Sequence, residues 1–103
     1  MVKTARQESD NEKLDRIITE QAHKHGCEVF KTGWSRITWE VFKRNPQNRD
    51  LARLAVVESF ASTNGEIKLC APEALAFVQD LGAQIEKEFP EIGEAVIVED
   101  FPK

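Results

Sequence analysis

The sequence predicts an α+β domain, one mixed sheet with helices packed on it, from three observations. Apolar residues recur at three- and four-residue intervals in two separate stretches, Leu14 to His25 and Leu75 to Phe89, which is the helical period. Between and after them lie short runs rich in β-branched and aromatic residues that alternate or are uniformly apolar, which is how strands read. The chain has 103 residues, 41% hydrophobic and 31% charged, so it has room for a single core and the composition of a folded domain. Four strands and about three helices are expected, in the order α-β-β-α-β-α-β, over residues 9–103. The polar residues 1–8 read as a mobile tail.

The first helix opens on a capping box, Ser9 followed three residues later by Glu12. Leu14, Ile17, Ile18, Gln21, Ala22 and His25 then form one stripe, and Gly26 supplies the residue through which helices commonly exit. Lys24 and His25 put cationic side chains near the negative end of the helix dipole. "CEVFKT" and "SRITWEVF", separated by Gly33-Trp34, read as a hairpin from Cys27 to Phe42. Pro46 behind Asn45 has the pattern of a proline in the first helical turn, so a second helix is expected from about Pro46 to Ser62 and closed by Asn64-Gly65. Its apolar residues, among them Leu51, Leu54, Val57 and Phe60, spread over more than one stripe, as on a helix contacted from two sides. "EIKLC" reads as a short strand. Pro72 opens a third helix with the face Leu75, Val78, Leu81, Ile85 and Phe89, closed before Pro90. "AVIVED" reads as a strand covered on both faces.

Charge is unevenly distributed along the chain. From Lys31 to Arg53 six basic residues stand against two acids; from Glu58 onward ten acids stand against three lysines, and the chain as a whole is at minus four. A basic segment interleaved with Trp34, Trp39 and Phe42 can serve a nucleic-acid surface, with cations for phosphates and aromatics for bases. Opposite charge on two parts of one small domain equally fits self-association or an acidic protein partner, and the acidic total favours those. The interaction residues expected from this segment are Trp34, Arg36, Trp39, Lys43 and Arg44, since tryptophan and arginine carry interface energy more often than other types.

His23, His25 and Cys27 crowd into five residues of a chain with two histidines and two cysteines. A helix terminus explains both histidines, and Cys27 and Cys70 sit in apolar runs where a thiol is a small buried hydrophobe. The zinc spacings CxxC and HxxxH are absent, so no metal or other cofactor is expected. The alternative that survives is a site in which His23 or His25 joins Cys27 and Cys70, and it requires the strands carrying the cysteines to be neighbours.

Glu66 and Lys68 in "GEIKLC" put a carboxylate and an ammonium on one face of a strand, the pair that a metal-dependent phosphodiester hydrolase uses to hold magnesium beside the attacked phosphate. This resembles the ExK half-motif of the PD-(D/E)xK nuclease superfamily, and the helix and strand that follow are similar in layout to what comes after it there. The aspartate that the resemblance implies on the preceding strand is missing; the nearest acid of that type, Asp50, falls in the expected second helix. Glycine-rich phosphate loops, GxSxG and HExxH are absent too, and the chain has no tyrosine. With no apolar run long enough to span a bilayer and a polar start without a signal-peptide centre, the expectation is a cytoplasmic, non-catalytic protein-interaction or regulatory domain that self-associates. The nucleic-acid-binding and nuclease readings stand as alternatives.

Overall fold

A computed structural model describes residues 10–34, 36–58, 66–90 and 94–101. The tail, Ser9 of the capping box and the Asn64-Gly65 ending lie outside the described residues. The first helix, α1, spans Asp10–Lys24 and buries Leu14, Ile17, Ile18 and Ala22. It leaves through Gly26 at φ 71°, with the Cys27 N–H donating to Ala22 O at 2.7 Å and the Gly26 N–H to His23 O at 3.0 Å. These bonds satisfy the orphan carbonyls of the last turn as in a Schellman ending. Strands β1 (Glu28–Gly33) and β2 (Ile37–Arg44) then form the expected antiparallel hairpin.

Over its described part, residues 46–58, the helix expected from Pro46 to Ser62 is a turn and a strand instead, and residues 59–62 lie outside the described residues. Asn45 Oδ1 accepts the N–H groups of Gln47 at 2.8 Å and Asn48 at 3.3 Å, and the Asn45 N–H closes the loop on Asp50 O at 2.8 Å. Arg49 takes the left-handed φ of 65° that lets the chain reverse. Strand β3 (Leu51–Glu58) follows, antiparallel to β2. Its register shifts once: Val41 faces Ala55 whereas Phe42 faces Arg53, so Leu54 is the extra residue of a β-bulge. The bulge turns Leu54 toward the same core as Ala55 and Val57. An apolar set without strict alternation therefore belongs to a strand.

Strand β4 (Glu66–Leu69) pairs antiparallel with β3. A 3₁₀ turn over Pro72–Ala74 leads into α2 (Leu75–Glu88), which crosses over to β5 (Val96–Glu99), parallel to β4. Among the described residues the result is one five-stranded mixed sheet in the order β1-β2-β3-β4-β5 with two α-helices, so the α+β class stands while the count changes from four strands and three helices. Two smaller expectations are also corrected. Strand β5 is not covered on both faces but lies at the sheet edge with Val96 and Ile97 exposed, because it has β4 alone to pair with. Leu75 is on the surface, and Phe77 takes a place in the core beside Val78, Leu81, Ile85 and Phe89. Both helices lie on one face of the sheet, where Trp39, Val41, Ala55, Val57, Ile67 and Leu69 meet the apolar stripes of α1 and α2 in a single cluster. Burying a side chain of this size stabilises by ~1.5–3 kcal/mol before chain entropy is counted, so this layer holds the fold. No helix among the described residues is long and apolar enough to cross a membrane.

Candidate functional site

Directly opposed residues share a face, so the strand register assigns the other side of the sheet. It presents Phe30, Phe42, Val56 and Val98 among ion pairs, with no described helix over it. Phe30 and Phe42 meet edge to face with ring centroids 5.2 Å apart. Arg44 grips Glu28 with two parallel bonds, Nε to Oε2 at 2.9 Å and Nη2 to Oε1 at 3.1 Å, and donates a third to Arg49 O. The hydrogen bond from Arg44 holds the Glu28 carboxyl below the usual carboxylate range. Arg53 pairs with Glu40 at 3.3 Å and Lys68 with Glu58 at 3.8 Å. On the helix side, Lys31 reaches Asp15 at 3.9 Å. The charges segregated along the chain are thus interleaved in space, cation against acid from strand to strand.

The sequence-predicted interaction residues do not form one patch. Trp39 is fully buried in the core, its Nε1 donating to Asp15 Oδ1 at 2.9 Å, and so lies away from any surface. Trp34 is its opposite: it stands at the tip of the β1–β2 hairpin with 96% of its surface exposed. Gly33 makes that tip possible. Its φ is 102°, and a Cβ there would lie 1.8 Å from Arg36 O, so the turn accepts no side chain at this position. Arg36 is exposed at the same tip. Lys43 projects to the helix side, near His25, Cys27 and Phe77, whereas Arg44 is on the open face.

The alternative metal ligands do not converge. His23 is exposed. His25 packs edge to face on Phe77 and its Nε2 lies 3.0 Å from Asp80 Oδ2, tying the end of α1 to α2. Cys27 precedes β1 and Cys70 follows β4, with β2 and β3 between them; three strand spacings put the thiols on the order of 14 Å apart. Both are buried and reduced, and burial pushes both thiols above their ordinary pKa, opposed by Lys43 at Cys27 and by Arg53 at Cys70. Among the described residues no group of histidine, cysteine and acid side chains is arranged to hold a metal ion.

Glu66 and Lys68 share the open face and, with Glu58 and Val56, line a cleft of about 260 Å³. Asp50 is far from them, in the turn at the opposite end of β3. The acid on the neighbouring strand is Glu58, which sequence reasoning missed because β3 was read as a helix. A larger groove of about 680 Å³ opens at the end of the sheet nearest the β2–β3 turn, with Ala52, Cys70, Ala71 and Phe101 as its apolar walls and Arg53 and Glu73 as its polar ones. The sequence carries no signal for it, since its walls come from three separated segments.

The chain matches no protein-family model, no curated protein and no solved structure.

Proposed function

We propose that this protein is a non-catalytic interaction domain that works through self-association, with the open face of its sheet as the contact surface. One observation carries the reading: the Phe30–Phe42 pair lies on a sheet face without a covering layer among the described residues, in one row with Val56 and Val98 and with Glu40 and Lys68 of the cross-strand ion pairs between them. One-sided sheets bury their apolar face against another element, and an apolar centre with a charged rim is the common anatomy of an interface. The rim mixes both signs, with the pairs Arg44–Glu28, Arg53–Glu40 and Lys68–Glu58 spread along it, so a second copy of the same face can meet it without setting one sign against itself, and a second copy is the occupant we infer. Sedimentation at micromolar concentration is expected to show a dimer, and Phe30→Arg, on an exposed side chain, to shift it to monomer without loss of folded signal. A wild-type chain that sediments as a strict monomer would remove the reading.

A second reading, metal-dependent nuclease chemistry, is favoured by one contact: Lys68 lies 3.8 Å from Glu58, across the hairpin from Glu66, so two carboxylates and an ammonium border one cleft. Glu58 takes the part for which Asp50 was considered. Magnesium-dependent cleavage of DNA or RNA that disappears in Glu66→Ala would put this reading first; the expectation is no cleavage. Nucleic-acid binding without cleavage is less supported, because Arg44, Arg53 and Lys31 are held by acids. A salt-steep binding isotherm, with log affinity falling by ~0.7–0.9 per phosphate neutralised and flattened by replacing Arg36, Lys43 and Arg44 with Ala, would reverse that order.

A further inference from the structure

We propose that Trp34 of one copy seats in the 680 Å³ groove of a second copy, and that the exchange is mutual, two tips filling two grooves in a closed antiparallel pair. The inference rests on the self-association reading and names the residues that would anchor it.

Large aromatic side chains are seldom left wholly in water, and Trp34 is 96% exposed on a turn whose backbone tolerates only glycine at position 33. A tryptophan has two side-chain torsions and so loses little freedom on docking, which is why such side chains serve as interface anchors. The molecule cannot use its own groove. The tip lies where β1 turns into β2, and the groove lies where β3 begins and β4 ends, at the other end of strands that run for eight residues, or roughly 26 Å. A second copy is the source that the sheet geometry allows, and a two-fold arrangement satisfies both tips and closes the assembly.

The groove suits an indole. Ala52, Ala71 and Cys70 offer small apolar contacts, and Phe101 offers a ring at one side. Arg53 supplies a cation for the face of the ring, and Glu73 an acceptor for the indole N–H, the two groups that tryptophan recognition calls for. Arg36, exposed beside Trp34, then faces Glu73 and Asp100, the acids next to the groove and to Phe101.

The test uses the full chain and its two tryptophans. Trp39 is already buried, so a change of emission on association reports Trp34. As concentration is raised through the association range, emission is expected to move to shorter wavelength and acrylamide quenching to fall, and Trp34→Ala is expected to weaken association roughly thirty-fold or more, as central aromatic anchors do. Arg36→Glu and Glu73→Arg should each weaken it, and the two together should bind more tightly than either alone, a partial rescue that misfolding cannot imitate. Association that persists while Trp34 stays accessible to quencher and Trp34→Ala is silent overturns this inference and leaves the self-association reading intact. A monomer at every concentration overturns both.

Discussion

Asp15 is a half-exposed carboxylate on α1, and removing it should cost far more than its position implies. The Trp39 indole is fully buried, and its Nε1 donates to Asp15 Oδ1 at 2.9 Å. In Asp15→Ala the ring stays in place and its N–H loses that acceptor, for which the penalty is ~1–3 kcal/mol. The exposed Lys31–Asp15 contact at 3.9 Å adds ~0–1 kcal/mol to the loss. Alanine returns up to about 0.7 kcal/mol through its better helix propensity. The net expectation is a loss centred on about 2 kcal/mol, read as a lower urea midpoint at unchanged slope or as a Tm lower by roughly 8–16 °C. In a Trp39→Phe background the donor is gone, so the same substitution should be neutral or slightly stabilising, while Asp15→Asn, which keeps an oxygen acceptor, should lose less than Asp15→Ala in the native background. Losses equal in both backgrounds, or an Asp15→Ala protein within about 0.5 kcal/mol of the parent, would refute the argument that this bond ties α1 to the core of the sheet.

Gly33→Ala should destabilise more than Gly26→Ala, since both glycines have positive φ but a Cβ clashes with backbone only at position 33; the left-handed conformation alone costs ~1–2 kcal/mol, and a reversed ranking in urea unfolding would contradict the tip geometry. Burial raises both thiol pKa values, so Cys27 and Cys70 should alkylate slowly at pH 8 in the folded protein and quickly in urea. Because the folded values lie above the unfolded ones, the thiols' contribution to stability is complete below the unfolded pKa of ~8.5 and is lost as pH rises through the folded values; equal folded and unfolded labelling rates would count against their burial. Protein purified without added metal should contain no stoichiometric zinc, chelator should leave Tm unchanged, and mild oxidation should form no internal disulfide, outcomes readable by elemental analysis, calorimetry and intact mass.

The elements that the sequence made legible are those governed by one local pattern. Helix α1 was readable because its stripe and its exit through Gly26 act over a few residues, and the first hairpin because alternation and the glycine turn agree. Strand β3 was not, for two physical reasons. An Asn side chain that accepts two N–H groups just downstream is the geometry of a helix cap and equally of an Asx turn, so Asn45-Pro46 fits both. The bulge at Leu54 then sends two successive residues to one core, which erases the alternation that marks a strand. Trp34 and Trp39 both read as interaction residues by type alone, but Trp34 falls in the turn and Trp39 on the helix-facing side of β2, where Asp15 satisfies its buried N–H. The open face could not be read at all without the register, because its apolar and charged members come from all five strands.

The last strand has a consequence for the order in which the molecule comes apart. Strand β5 has four residues, pairs along one side only, and is fastened by two bonds at its ends: the Glu86 carboxylate receives the Ala95 N–H at 2.9 Å, and the Asp100 N–H reaches Leu69 O at 2.8 Å. The β1–β4 meander pairs in chain order, whereas β5 returns only after the whole of α2 has been laid down. With one neighbour and a long connection to close, β5 is expected to open ahead of the meander, and amides of β5 that exchange as slowly as those of β2 and β3 would contradict this. Each opening uncovers the edge of β4, where the strand of a neighbouring molecule can pair in its place.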